Sequence, residues 1–206
     1  MRPVLLVIAG PNGAGKTTVT ERLRRDHWSE GVEYLNPDEI ARDRFGSWDD
    51  PGAVVAAAEW TSARRETLLR ERAGLAFETV FSAPDKLDFV SRAVAAGYFV
   101  RLFFVGTSSP TINAARVAQR VMLGGHTVPI EKIVARYARS MANLSAILPV
   151  AHRVYVFDNS VDDIEARLCA RTVDGRLRKV HGPLPGWVTA ALEGLPHHPD
   201  FEDLRA

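Results

Sequence analysis

Eight consecutive residues, Gly10-Pro11-Asn12-Gly13-Ala14-Gly15-Lys16-Thr17, satisfy the pattern G-x-x-x-x-G-K-[ST], and these residue types in this order can hold a chain of phosphates. Glycines let the backbone wrap so that successive N–H groups turn inward, and the positive end of a following helix adds its partial charge. Lys16 is placed to bridge the β- and γ-phosphates and the Thr17 hydroxyl to ligate Mg²⁺, which makes Gly10 through Thr18 the candidate contacts for ATP. The pattern carries weight only between a strand and a helix. It lies there, after the apolar run Val4 to Ala9 and before a helical stretch from Lys16 to about His27.

Three further groups could complete such a site. Asn36-Pro37-Asp38-Glu39 ends the next short strand, at the sheet edge where ligands of α/β folds bind. Asp38 there either accepts a proton from an acceptor hydroxyl or serves as N-cap of a helix beginning at Glu39. Glu78, at the tip of Phe77-Glu78-Thr79-Val80, could hold Mg²⁺ through water, bind acceptor hydroxyls, or be a solvated strand end. Arg116, Arg120, Arg136 and Arg139 recur at helical spacings on two helices around Gly124-Gly125-His126-Thr127. That arrangement reads as a lid that brings positive charge to the transferring phosphoryl group, with a solvated basic face as the plain alternative. His126 either binds substrate or caps the second helix.

These residues need strands and helices to position them, and the chain supplies an alternation. Strands are expected at Val4–Ala9, Glu33–Asn36, Leu75–Val80, Tyr98–Val105 and Arg153–Phe157. Helices are expected after Asp50-Pro51, after Pro84, after Ser109-Pro110 and after Pro129, where proline sits at or near the first helical turn. The pattern predicts an α/β P-loop fold: a three-layer sandwich with a five-stranded parallel sheet, helices on both faces, and a helical lid over about 108–147 as in nucleotide kinases. One domain is expected over 1–206. Its C-terminal appendage, about 170–206, should hold a short strand at Arg176–Val180, a short helix from Gly186-Trp187, and a loose polar end.

Composition bounds the function classes. The chain has 206 residues, 46% hydrophobic and 25% charged, the usage of an ordinary globular domain. Twenty-six Lys and Arg against 25 Asp and Glu leave a net charge of +1, so no general positive field draws it to nucleic acid or an anionic membrane. Its one cysteine, Cys169, reads as a buried structural thiol, and the protein as cytoplasmic. Trp28, Trp48, Trp60 and Trp187 are too scattered for a base-stacking platform and read as packing residues.

Taken together, AGPNGAGKTT at 9–18, NPDEIA at 36–41, FETVFS at 77–82, RVAQRVMLGGHTVPIEKIVARYARSMANL at 116–144 and VFDNS at 156–160 resemble the zeta toxin family of P-loop kinases, above all its short bacterial branch. The P-loop is shared with many families, whereas GGH-x-VP followed by RY-x-RS-x-x-NL is specific. The resemblance implies ATP-dependent phosphorylation of the 3′-hydroxyl of UDP-N-acetylglucosamine. It makes Asp38 the catalytic base and Glu78 a contact of the acceptor, beside which Thr79, Arg116 and His126 are further candidate substrate contacts. It also makes Lys16, Arg120 and Arg136 the charges on the phosphates, and puts Asp158 and Asn159 near the adenine. Two departures bear on the acceptor and on partners. Val80 stands where the family often has threonine, and the first strand begins at Val4, without the N-terminal helical sequence on which plasmid toxins receive an antitoxin. Relatives of this fold phosphorylate other acceptors, such as the adenosine ribose of NAD or antibiotic hydroxyls, and a slow ATPase acting through a protein partner is the reading from another class.

Overall fold

The computed structural model describes residues 2–25, 30–46, 50–123 and 128–205. Five strands and the helices between them follow the sequence pattern: β1 (Val4–Ala9), α1 (Lys16–Arg25), β2 (Val32–Leu35), α2 (Pro37–Phe45), α3 (Pro51–Glu71), β3 (Gly74–Thr79), α4 (Pro84–Ala95), β4 (Phe99–Gly106), α5 (Pro110–Met122), α6 (Ile130–Ile147) and β5 (Arg153–Asp158). The strands lie in the order β2-β3-β1-β4-β5, all parallel. The alternation of β1 fits burial on both faces, Leu5 and Val7 joining one core cluster and Leu6 the other. Three helices begin as the sequence predicts, with Pro51, Pro84 and Pro110 in their first turns.

The sheet does not stop at five strands. It continues through β6 (Arg167–Val173), β7 (Arg176–His181) and β8 (His197–Leu204), with the short helix α7 (Gly186–Leu192) between the last two. β6 and β7 run antiparallel, and β8 returns parallel to β7. The expected short strand at 176–180 is β7, but the end of the chain is not loose: 197–204 pairs with β7 along the sheet edge. β6 was hidden because Ile164, Leu168 and Cys169 match a helical period, whereas a β-bulge at Val156/Phe157 shifts the register of the strand pair. Cys169 is buried as expected, and burial pushes its thiol pKa up.

Helices cover the two faces unequally. Leu68 and Leu69 of α3, Phe89, Val90 and Ala93 of α4, Leu144 and Ile147 of α6 and Val188 of α7 join the larger core. On the other face α1 contributes Val19 and Leu23, and a groove of about 670 Å³ runs between it and the stacked rings of Phe103 and Tyr155. Among the described residues, no helix is long and apolar enough to cross a membrane. Parallel register brings the carboxyl ends of the strands to one edge, with Ala9 opposite Thr79 and Phe104, and Gly106 opposite Asp158. That edge carries the candidate site.

Candidate active site

The loop from Gly10 to Gly15 joins β1 to α1, and its shape depends on glycine at two backbone crossings. A Cβ on Gly10, at φ +147°, would lie 2.0 Å from the Val105 carbonyl oxygen; one on Gly13, at φ +75°, would lie 2.6 Å from that of Asn113. No other residue fits either place without moving the main chain. Side chains then take four of the loop's carbonyls. Buried Asn113 donates its amide to Asn12 O at 2.5 Å and is itself held by the Thr107 hydroxyl. Asn159 donates to Ala14 O at 2.8 Å, and Lys16 Nζ reaches back to Gly10 O at 2.9 Å and Pro11 O at 3.1 Å. Among the described residues, no backbone carbonyl takes the N–H groups of Gly13 and Gly15. With the unpaired donors of the first turn of α1 they form a cradle for an anion.

Lys16 is held against its own charge. Burial above all, with the Arg120 cation adding to it, brings its pKa down to about 8 against the opposing carboxylates of Glu78 and Asp38. These four groups therefore share one electrostatic neighbourhood, although they come from α1, α2, β3 and α5. Thr17 and Thr18 are exposed in the first turn of α1, and the Thr17 hydroxyl there suits a metal ion whose other ligands are nucleotide oxygens. Among the described residues, no three acidic, histidine or cysteine side chains cluster as a metal site.

Asp38 does not cap a helix. The N-cap of α2 is Asn36, whose side-chain oxygen accepts the Asp38 N–H at 2.9 Å. Asp38 is thus the second residue of the helix, with its exposed carboxylate in no hydrogen bond or ion pair among the described residues. The capping amide also ties the turn to its neighbours. Asn36 Nδ2 donates to the Tyr34 hydroxyl at 3.3 Å, and Tyr34 donates to Glu78 Oε1 at 3.0 Å. Thr20 donates to the same Oε1 at 2.6 Å. Burial, and then the Glu78 carboxylate beside it, push the Tyr34 pKa up, so the phenol remains a donor.

The remaining sequence candidates divide. Thr79 turns inward on its own turn: its hydroxyl oxygen accepts the N–H of Phe81 at 3.0 Å, and Phe81 adopts φ 58°. Asn143 of α6 donates to Phe81 O at 2.9 Å and pins that left-handed residue. Arg136 comes within 3.5 Å of Asn12 Oδ1, at the lip of the cradle. Arg120 and Arg139 are exposed. Arg116 is committed elsewhere, to Asp162 at 2.6 Å and to Asn159 O at 2.8 Å. It walls a cavity of about 270 Å³ that opens beside Gly15, Thr18 and Asn159. Asp158 does not line that cavity; its Oδ1 accepts from Trp187 Nε1 at 2.8 Å and Ser160 Oγ at 2.6 Å. His126 lies outside the described residues, as do Trp28 and Trp48.

Sequence reasoning passed over Thr20, Tyr34, Asn113, Tyr137 and Asn143. Asn113 had a signal, an amide on the apolar face of an amphipathic helix, where a buried polar group needs a partner. Tyr137 and Asn143 stood inside the specific motif without a role; Tyr137 donates to Thr107 O at 2.7 Å and so ties the second lid helix to the strap on Asn12.

Comparison with known proteins fits this geometry. The family model described as Zeta toxin matches residues 1–167. An uncharacterized protein of Haemophilus influenzae is 24% identical over 138 residues, covering 66% of this chain and 94% of its own. Among solved structures, one from the PezAT chromosomal toxin–antitoxin system of Streptococcus pneumoniae superposes with a TM-score of 0.56 at 16% identity, over 80% of this chain and 70% of that one. The ATP-bound AvrRxo1-ORF1:-ORF2 complex superposes with a TM-score of 0.60 at 18% identity, over 85% of this chain, which spans 60% of that one. The fold is that of the P-loop kinases, and the family match covers the cradle, Asp38, Glu78 and both lid helices. The chain belongs to the zeta toxin family, and with it to the P-loop phosphotransferases.

Proposed function

We propose that this protein transfers the γ-phosphoryl group of ATP to an alcohol, the 3′-hydroxyl of UDP-N-acetylglucosamine, with Asp38 as general base. The observation that carries the proposal is the release of Asp38 from capping by Asn36, which leaves its carboxylate exposed in the field of Lys16. Asp38 takes the proton of the acceptor hydroxyl as its oxygen attacks the γ-phosphorus. The bond to the β-phosphate oxygen breaks, ADP leaves, and Asp38 returns the proton to solvent. Lys16, and Arg120 and Arg136 from the lid helices, offset the negative charge of the transferring group. Glu78, held by Thr20 and Tyr34 through one oxygen, keeps the other for an acceptor hydroxyl. The Thr17 hydroxyl would hold Mg²⁺ together with oxygens of the nucleotide, and the ion would add to the neutralisation of the phosphates.

The test is mass spectrometry of small molecules after incubation with Mg·ATP and a panel of UDP-N-acetylglucosamine, NAD and a cell metabolite extract. UDP-N-acetylglucosamine should gain one phosphoryl group, about 80 mass units, and Asp38→Asn should form the product roughly 10²–10⁴-fold more slowly. A product from NAD or from another metabolite would keep the kinase and replace the acceptor. ATP consumption with no phosphorylated product would overturn the small-molecule reading in favour of an ATPase that works through a protein. The origin of the pneumococcal relative in a toxin–antitoxin system supports adding an antitoxin polypeptide to the partners tested.

A further inference from the structure

The family match ends at residue 167, yet the chain beyond it reaches back to the nucleotide cradle. Gly106 ends β4 at the site edge, and a Cβ there would lie 2.6 Å from the ring of Trp187, so the indole occupies the room a side chain would need. From that position Trp187 Nε1 donates to Asp158 Oδ1 at 2.8 Å. The same oxygen accepts from Ser160 Oγ, which in turn accepts the Ser108 N–H at 2.9 Å, joining the loops after β4 and β5. The next residue is Asn159. Its N–H donates to Gly106 O at 2.8 Å, and its side-chain amide donates to Ala14 O at 2.8 Å, so closely over Gly15 that a Cβ there would meet it at 2.3 Å. A hydrogen-bonded path therefore runs from α7 through Asp158 and Asn159 to the P-loop carbonyl whose orientation decides where the neighbouring amides point.

We infer that the C-terminal appendage is part of the nucleotide site, and that Trp187 is a positioning residue that holds Asn159 on the P-loop through Asp158. The inference rests on the reading of the cradle as an ADP and ATP site, and it assigns the appendage a task that its place beyond the family match does not. Trp187 touches no phosphate; it fixes the corner that fixes the loop. A hydrogen bond to a charged acceptor restrains direction as well as distance, so loss of the indole N–H frees Asp158 and, with it, the Asn159 amide.

The experiment measures ADP binding by calorimetry for the full-length protein, Trp187→Phe, Asn159→Ala and the double variant. Trp187→Phe keeps a ring beside Gly106 and removes the donor. It should bind ADP roughly tenfold more weakly, equivalent to about 1.4 kcal/mol. Because both changes act through one path, the double variant should be no weaker than Asn159→Ala alone, a result that general loosening of the fold would not produce. Hydrogen exchange on the unmodified protein supplies a reading that needs no variant to fold: ADP should slow amide exchange over 186–192 as well as over the P-loop. Native affinity in Trp187→Phe, additive losses in the double variant, or exchange over 186–192 indifferent to ADP would overturn the inference. Failure of the unmodified protein to bind ADP at all would bring down the nucleotide reading instead, and this inference with it.

Discussion

A lysine that must carry a proton to hold phosphate is half-buried here where the proton is loosely held, and nucleotide affinity should therefore fall steeply in mildly alkaline solution. Burial brings Lys16 to about pKa 8 while its ammonium rests on the carbonyls of Gly10 and Pro11. Polyphosphate binding restores the charged form, so affinity follows the protonated fraction of the free protein. That fraction falls from about 0.8 at about pH 7.5 to about 0.03 at about pH 9.5, roughly a 25-fold loss, where an ordinary lysine would cost about a tenth of the affinity. Titration calorimetry of ADP in buffers of different ionisation enthalpy should show about 0.9 proton taken up per ADP bound near pH 9. Lys16→Met should bind weakly and independently of pH across the same window. The stability linkage has the opposite sense: the folded pKa lies below the unfolded 10.5, so protonated Lys16 costs stability below about pH 8 and the cost fades as pH rises toward 10.5. Lys16→Met should for that reason melt higher near neutral pH, by up to about 3 kcal/mol of stability. Level ADP affinity from pH 7.5 to 9.5 in the unmodified protein, without proton uptake, would refute this account of Lys16.

Two other substitutions probe the supports of the site. Tyr34→Phe removes one of two donors to Glu78 Oε1, so KM for the acceptor should rise severalfold while KM for ATP stays within about twofold; an unchanged acceptor KM would show that the phenol does not hold that carboxylate in place. Asn113→Ala leaves Asn12 O without its buried donor, which should cost about 1–3 kcal/mol of stability and weaken ADP binding, read together by thermal melts with and without ADP. Equal melting shifts on adding ADP to Asn113→Ala and to the unmodified protein would place the strap outside the nucleotide site.

Local chemistry made the cradle legible, since glycine spacing, the lysine and the strand-to-helix context all follow from nearest neighbours in the chain. The central strands were legible for a related reason, because Phe99 to Val105 is apolar on both faces save for Arg101, as a covered strand is. Asp38 was ambiguous until Asn36 was seen to cap α2; two polar residues flanking a proline compete for that place, and sequence does not rank them. The appendage was obscured by its polarity. His197 to Leu204 has Pro199 and two histidines, the composition of a sheet edge that must resist pairing with other chains, and that composition also reads as disorder. The link from Trp187 to Asp158 spans 29 residues, a separation at which no local pattern speaks.

The placing of β1 between β3 and β4 has a consequence for the time at which the protein acquires its chemistry. Its strand partners begin at Gly74 and Phe99, so the chain that encodes the cradle within its first eighteen residues must wait for about a hundred to be made before the strand carrying it is flanked. Long-range pairings of this kind are slow to close, and a ribosome adds residues at roughly 5–20 per second. The partner of Asp158 arrives later still, at residue 187. A chain cut at residue 167, where the family match ends, carries every motif residue named above and lacks the indole that braces Asp158, so full nucleotide affinity should wait for residue 187 to be made and folded.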